Sequence, residues 1–164
     1  MTAVGRPRPK PGRPPRGSGL LTPLESAVLE LVSHGSSTAR IARDLHVTEA
    51  TAATHLRRMF RKLGVKDRAS MTAEGFRLGL LQARPLRPGV VAPVLPPRLA
   101  AVLDLLAGGS SNAAMAVVLE ISASGVNERL KALYRLLGVG SREHAVRIGV
   151  EAGYLTLGRA GGVS

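Results

Sequence analysis

Residues 37–64 read STARIARDLHVTEATAATHLRRMFRKLG, and this stretch decides the fold. Ser36 or Ser37 offers an N-cap for a short helix with Ile41 and Leu45 turned inward. Thr48 caps a longer helix, in which Ala52, Leu56, Met59 and Leu63 recur on one face at helical spacing. Gly64 stops it. Upstream, Thr22-Pro23-Leu24-Glu25 combines an N-cap, a proline at the first helical position and a glutamate three residues on, which is a capping box. Leu24, Val28, Leu31 and Val32 then follow at helical spacing, and Gly35 ends that helix. Downstream, Asp67 caps a fourth helix running to about Gly79.

The same pattern recurs once. Laying Leu21 on Leu95 needs no gap until Leu81 meets Leu155. Ala27-Val28-Leu29 falls on Ala101-Val102-Leu103, Gly35-Ser36-Ser37 on Gly109-Ser110-Ser111, Leu63-Gly64-Val65 on Leu137-Gly138-Val139, and Arg68 on Arg142. A whole small domain is therefore duplicated. The second copy predicts helices near 97–107, 112–119, 123–137 and 141–153. The expected organisation is a Pro- and Arg-rich disordered tail over 1–20, a first domain over 21–81, a Pro-rich linker over 82–94 and a second domain over 95–157.

Composition supports an all-α fold. The chain has 164 residues, 45% of them hydrophobic, with no Trp, two Phe and two Tyr. A core of Leu, Val, Ala, Ile and Met with so few aromatics favours helices over a sandwich or barrel. There is no cysteine, which excludes a disulfide framework, a thiolate metal site and a cysteine nucleophile. His34, His46, His55 and His144 lack ligand spacing, and Gly35-Ser36-Ser37 fits no nucleophile elbow. The reading is a non-enzyme with no cofactor and no metal. No apolar run is long enough to span a bilayer, so a cytoplasmic, nucleoid location is expected.

Net charge is +12, which directs the chain toward a polyanion. Arg6, Arg8, Lys10, Arg13 and Arg16 put much of that surplus in the tail, where no acidic residue offsets it. Gly5-Arg6-Pro7 and Gly12-Arg13-Pro14 fall short of a minor-groove hook, so sequence-independent phosphate affinity is expected there.

A short helix, a turn of about three residues and a longer basic helix form the helix-turn-helix layout, whose second helix enters the major groove of DNA. With Ala52, Leu56, Met59 and Leu63 inward, the longer helix faces outward with Ala53, Thr54, Arg57, Arg58 and Arg61. A charge run on a core helix is usually only a solvated face. Here it lies on the one helix that the layout presents, and contact with DNA is the favoured reading.

Residues 21–81 resemble the LuxR-type DNA-binding domain of bacterial transcription regulators. The resemblance rests on Leu21-Thr22-Pro23 with Glu25, Val28-Leu29, Ile41-Ala42, Thr48-Glu49-Ala50-Thr51, His55-Leu56 and Lys62-Leu63-Gly64-Val65. Residues 95–155 resemble a diverged second copy. The resemblance implies a four-helix domain whose third helix reads the major groove and whose fourth commonly forms a homodimer. By position it assigns base-edge contacts to Ala53, Thr54 and Arg57, and phosphate contact and positioning to Thr51, His55, Arg58 and Arg61. Two departures stand out. Ala53 replaces the family's usual lysine, and His46 replaces a turn glycine, placing a non-glycine where positive φ is expected.

The second copy departs further. Its reading positions hold Asn127, Glu128 and Lys131, with Arg129 in place of His55. Asn suits adenine and Glu suits cytosine, although Glu also repels phosphate. Gly125 weakens its reading helix. Arg40, Arg43 and Asp44 become Ala114, Val117 and Val118, so an apolar face appears where the first copy is charged. That face implies a buried contact with the other copy or another chain, or else two harmless exposed valines. No receiver, ligand-sensing or nucleotide-binding domain fits in the remaining residues.

The resulting expectation is a stand-alone regulator that binds double-stranded DNA through tandem domains, the first being the main reader. Pairing of the fourth helices within one chain would make a pseudo-dimer; a homodimer through the second copy stays open. The rival is an interaction module in which the second copy docks a protein such as RNA polymerase. Val90, Val91 and Val94 in the linker, with Phe76, Leu80, Val150 and Tyr154, exceed what two small cores need. They predict that the two copies pack into one unit.

Overall fold

The computed structural model describes residues 19–158. The expected tail, apart from its last two residues, and its cations lie outside the described residues. Eight helices follow one another: α1 (Pro23–Ser33), α2 (Thr38–Asp44), α3 (Glu49–Leu63), α4 (Arg68–Arg77), α5 (Pro97–Ala107), α6 (Asn112–Val118), α7 (Ala123–Leu137) and α8 (Arg142–Glu151). No strand occurs among the described residues.

The caps explain the boundaries. Thr22 and Glu25 close the capping box on α1, Ser37 caps α2, Thr48 caps α3 and Asp67 caps α4. α3 ends at Gly64 in the left-handed conformation, φ 65°. α4 stops at Arg77, a little short of Gly79. α5 starts differently: Pro96 replaces the threonine cap and makes no side-chain bond.

Each set of four helices encloses its own core. Val28, Leu29, Val32, Ile41, Ala52, Leu56 and Met59 are buried in the first, and Val102, Leu103, Leu106, Met115, Val126, Leu130 and Leu133 in the second. Leu45, expected inward, is half-buried. Leu29, outside the expected stripe, is fully buried. It is reached because α4 crosses α1 closely at Gly75, where a Cβ would lie 3.1 Å from Leu29 Cδ2 and 2.9 Å from Leu81 Cδ1. Gly149 repeats this, with a Cβ 2.8 Å from Leu103 Cδ2 and 2.9 Å from Leu155 Cδ1. Both positions need glycine for close approach.

The two sets pack together. α4 lies along α8, α1 touches α8 and α4 touches α5. Ala69 and Ala73 of α4 join the core of the second set. The contacts are reciprocal: a Cβ on Gly35 would lie 2.6 Å from Ser141 Oγ and 3.5 Å from His144 Cβ. Its repeat counterpart, Gly109, faces Ser70 Oγ at 3.1 Å and Asp67 Oδ1 at 3.6 Å. Residue i of one set meets residue j of the other, and j meets i, which is the signature of a two-fold relation.

One difference breaks that symmetry. Arg147 on α8 is 1% exposed. It donates to Ser33 Oγ at 2.6 Å and to Glu151 Oε1 at 3.0 Å, lies 3.2 Å from Glu30 Oε1, and sits 5.7 Å from the Phe76 ring centre. Its counterpart in the first set is Ala73. The linker corrects part of the sequence argument. Val90, Val91 and Val94 are 56%, 88% and 89% exposed and lie outside both cores. Packing of the two sets rests on the helices and on Arg147, not on those valines.

Candidate nucleic-acid interface

α2 and α3 are joined by a tight turn in which His46 has φ 55°, the positive value expected where the turn glycine is missing. Glu120, its counterpart between α6 and α7, has φ 54°. Buried Ala42 and Ala52, one from each helix, belong to the same core. Arg68 of α4 holds the start of α2, donating at 2.7 Å to both Ser36 O and Thr38 Oγ1. The far end of α3 is tied to α1 by Lys62 Nζ on Glu25 Oε2 at 2.7 Å. Burial opposes ionisation of Glu25, but the Lys62 ammonium and the Thr22 N–H outweigh it and hold its carboxyl below the ordinary range. In the second set Leu99 and Leu136 occupy these two positions. An apolar pair thus substitutes for an ion pair at the same joint.

With α2 held by Arg68 and the far end of α3 held by Lys62, α3 presents one face outward. Thr51, Arg57, Arg58 and Arg61 are exposed, and Ala53, Thr54 and His55 are half-buried. Thr51 is held at the cap, its N–H bonded to Thr48 Oγ1 at 3.1 Å. Thr54 Oγ1 donates to Ala50 O at 2.9 Å and accepts from Arg57 Nη2 at 3.1 Å, so the guanidinium is steered along the helix. Arg58, Arg61 and Lys62 line one shallow groove. His55 differs from its neighbours: its Nδ1 is buried and has no hydrogen-bond partner among the described residues.

α7 presents Asn127, Glu128, Lys131 and Arg135 to solvent, with Arg129 half-buried. Glu128 puts an acid in the middle of its outward face, where α3 has Thr54; the exposed acid of α3, Glu49, is its first residue. On α6, Val117 and Val118 are 78% and 62% exposed, and the first set does not cover them. Sequence reasoning named candidate reading residues but passed over the side chains packed behind them. Arg142 donates to Ser110 O at 3.1 Å and to Asn112 Oδ1, as Arg68 does in the first set. Asn112 Nδ2 in turn donates to Asn127 Oδ1 at 3.1 Å. The identity of Arg68 and Arg142 across the repeat was the available signal.

Among the described residues no group of three His, Asp or Glu side chains stands ready to hold a metal ion. No described helix is long and apolar enough to cross a membrane.

Comparison with known proteins agrees with this geometry. The chain is similar over 67 residues, at 45% identity, to a putative HTH-type transcriptional regulator of Mycobacterium tuberculosis; the match covers 41% of this chain and 8% of that one. It is 42% identical over 62 residues to the probable transcriptional regulatory protein NarL of the same species, covering 38% of this chain and 29% of NarL. It is 38% identical over 63 residues to the spore germination protein GerE of Bacillus subtilis, covering 38% of this chain and 85% of GerE. The chain thus spans only a small part of the first of these relatives and most of the last. No solved structure matches it. The model of the bacterial regulatory proteins, luxR family, matches twice, at residues 19–73 and 93–148. Two matches that together take in most of the chain, each over helices that build a helix-turn-helix, place this protein in the LuxR family of bacterial regulatory proteins.

Proposed function

We propose that the chain regulates transcription by binding one double-stranded DNA site with both of its helix-turn-helix units. The observation that carries this reading is the outward face of α3, where Arg57, Arg58 and Arg61 stand exposed on a helix whose far end Lys62 ties to α1. Arg57 reads guanine, whose two major-groove acceptors suit a guanidinium. Thr54 and Ala53 meet neighbouring base edges. Thr51, Arg58 and Arg61 take phosphates, and His55, with its buried ring nitrogen, positions the helix. Asn127, Arg129 and Lys131 do the corresponding work on α7.

The reciprocal contacts around Gly35 and Gly109 support an intramolecular pseudo-dimer. In that arrangement α3 and α7 read inverted half-sites without a second chain. The experiment is selection of bound duplexes from random DNA by the purified protein, with footprinting and the mass of the complex. One chain on an inverted site is the expected result. Two chains per site, or no selected sequence, would overturn the reading.

A second reading draws on the exposure of Val117 and Val118. In it, the α6 face docks a protein such as RNA polymerase while α3 alone holds DNA. Footprints limited to a single half-site would favour it.

A further inference from the structure

Arg142, Asn112 and Asn127 form a relay with a fixed direction. A guanidinium only donates. Asn112 therefore turns its carbonyl to Arg142 and its amide N–H toward α7, where Asn127 Oδ1 accepts it at 3.1 Å. Asn127 is left with its own NH2 group facing outward from an exposed position on α7. The first unit has no such relay. Arg68 donates to Thr38 Oγ1, and the next position in line, Ala53, has no polar side-chain atom.

We propose that Asn127, positioned by Asn112 and Arg142, is a donor-only reader that selects a guanine or thymine acceptor, so that the two halves of the DNA site are unlike. This rests on the reading of α7 as a groove-entering helix. Asparagine reads adenine by offering its carbonyl to N6–H2 and its amide N–H to N7 together. Here the carbonyl is already turned to Asn112. Guanine O6 and N7, or thymine O4, accept from an outward NH2; adenine offers N7 alone, beside an amine that repels the donor, and cytosine offers only an amine. This replaces the adenine pairing expected from residue type alone. In the first half-site Arg57 reads beside Ala53, the apolar counterpart of Asn127, so a perfect inverted repeat is not the best target.

The test uses the full chain and a selected duplex, with each base pair of the second half exchanged in turn and binding measured in competition. The wild type is expected to prefer guanine or thymine over adenine and cytosine at one position, by about tenfold. Comparing all four base pairs at that position separates guanine from thymine. Asn127→Ala removes this preference. Asn112→Ala reduces it to less than about threefold while the first half-site preference stays unchanged. Asn112→Asp is the decisive variant. A carboxylate there accepts from both Arg142 and Asn127, so the Asn127 amide turns over and presents its carbonyl. Preference should then move to adenine or cytosine. An adenine preference in the wild type, or an unchanged preference in Asn112→Asp, overturns the inference while leaving DNA binding intact. If no sequence is selected by the wild type, the functional reading fails with it.

Discussion

Arg147 on α8 donates to the hydroxyl of Ser33 on α1 at 2.6 Å, across the seam between the two repeat units. The guanidinium is buried, with Glu151 and Glu30 beside it and the Phe76 ring under it. Removing one partner of a buried ionic group leaves the others unpaired, at a cost of about 3–5 kcal/mol. Arg147→Ala should therefore destabilise the whole protein by about 3 kcal/mol in denaturant unfolding. Ser33→Ala should cost about 1 kcal/mol, the worth of one hydrogen bond. If Arg147→Ala unfolds at the wild-type midpoint, the buried guanidinium does not contribute to the stability of the seam.

The same seam should be sensitive to acid. Burial lowers the pKa of His144, and the nearby His34 ring and Arg147 lower it further, while Glu151 opposes them. The two imidazoles meet edge to face at 6.1 Å, and His34 also pairs with Glu30. A folded-state value below the unfolded one means that the unfolded chain binds the proton more tightly. Stability is complete above the ordinary histidine range and falls as pH drops below about 6.5. The melting temperature should decline as pH falls below about 6.5, and His144→Gln should flatten that decline. A pH profile identical in wild type and variant would show that the ring is not the group responsible.

How much of this was legible in the sequence depends on whether the governing interaction is local. Thr22, Ser37, Thr48 and Asp67 cap neighbouring residues, so their roles follow from spacing alone. His46 was readable because a tight turn constrains its own backbone. The seam was not readable in detail. Arg147 meets Ser33 from far along the chain, and nothing near either residue signals the other. The valines of 82–94 misled, since apolar character does not say whether a Pro-rich segment lies down on a surface or stands off it. The relay through Asn112 was hidden because its direction appears only when Arg142 is seen behind it.

His46 and Glu120 hold their turns at φ 55° and 54°, where a side chain is strained. Relief of that strain exceeds the extra chain entropy that a glycine brings to the unfolded state. His46→Gly and Glu120→Gly should each raise stability by about 0.5–1 kcal/mol, and the pair should add because the sites are distant. A loss of stability in either variant would mean that the side chain contributes more than its backbone costs.

The N-terminal cations should contribute affinity without sequence choice. Arg6, Arg8, Lys10, Arg13 and Arg16 can each neutralise one phosphate, and each such contact adds about −0.9 to the slope of log affinity against log salt. Removing residues 1–18 should weaken all duplexes alike and flatten that slope. A deletion that changes which sequence is preferred would assign the segment a reading role in the minor groove.

Arg57 and Lys131 occupy the same repeat position on α3 and α7, both exposed, and their comparison locates the main reader. Arg57 offers a planar fork that Thr54 already orients, with Nη2 3.1 Å from Thr54 Oγ1. A guanidinium so placed can bond guanine O6 and N7 at once. Lys131 offers a point charge on a flexible stem, follows Glu128 on the same helix, and has no oriented partner among the described residues. A flexible ammonium discriminates bases less well than a preorganised fork. Arg57→Ala should cost about 1–3 kcal/mol of binding and relax selection at one base pair. Lys131→Ala should cost less and mainly lower the salt slope. Both are read by fluorescence anisotropy on the selected duplex at two salt concentrations. If Lys131→Ala is the more damaging, the principal contact belongs to the second unit, and the charge difference between α3 and α7 does not set the order of recognition.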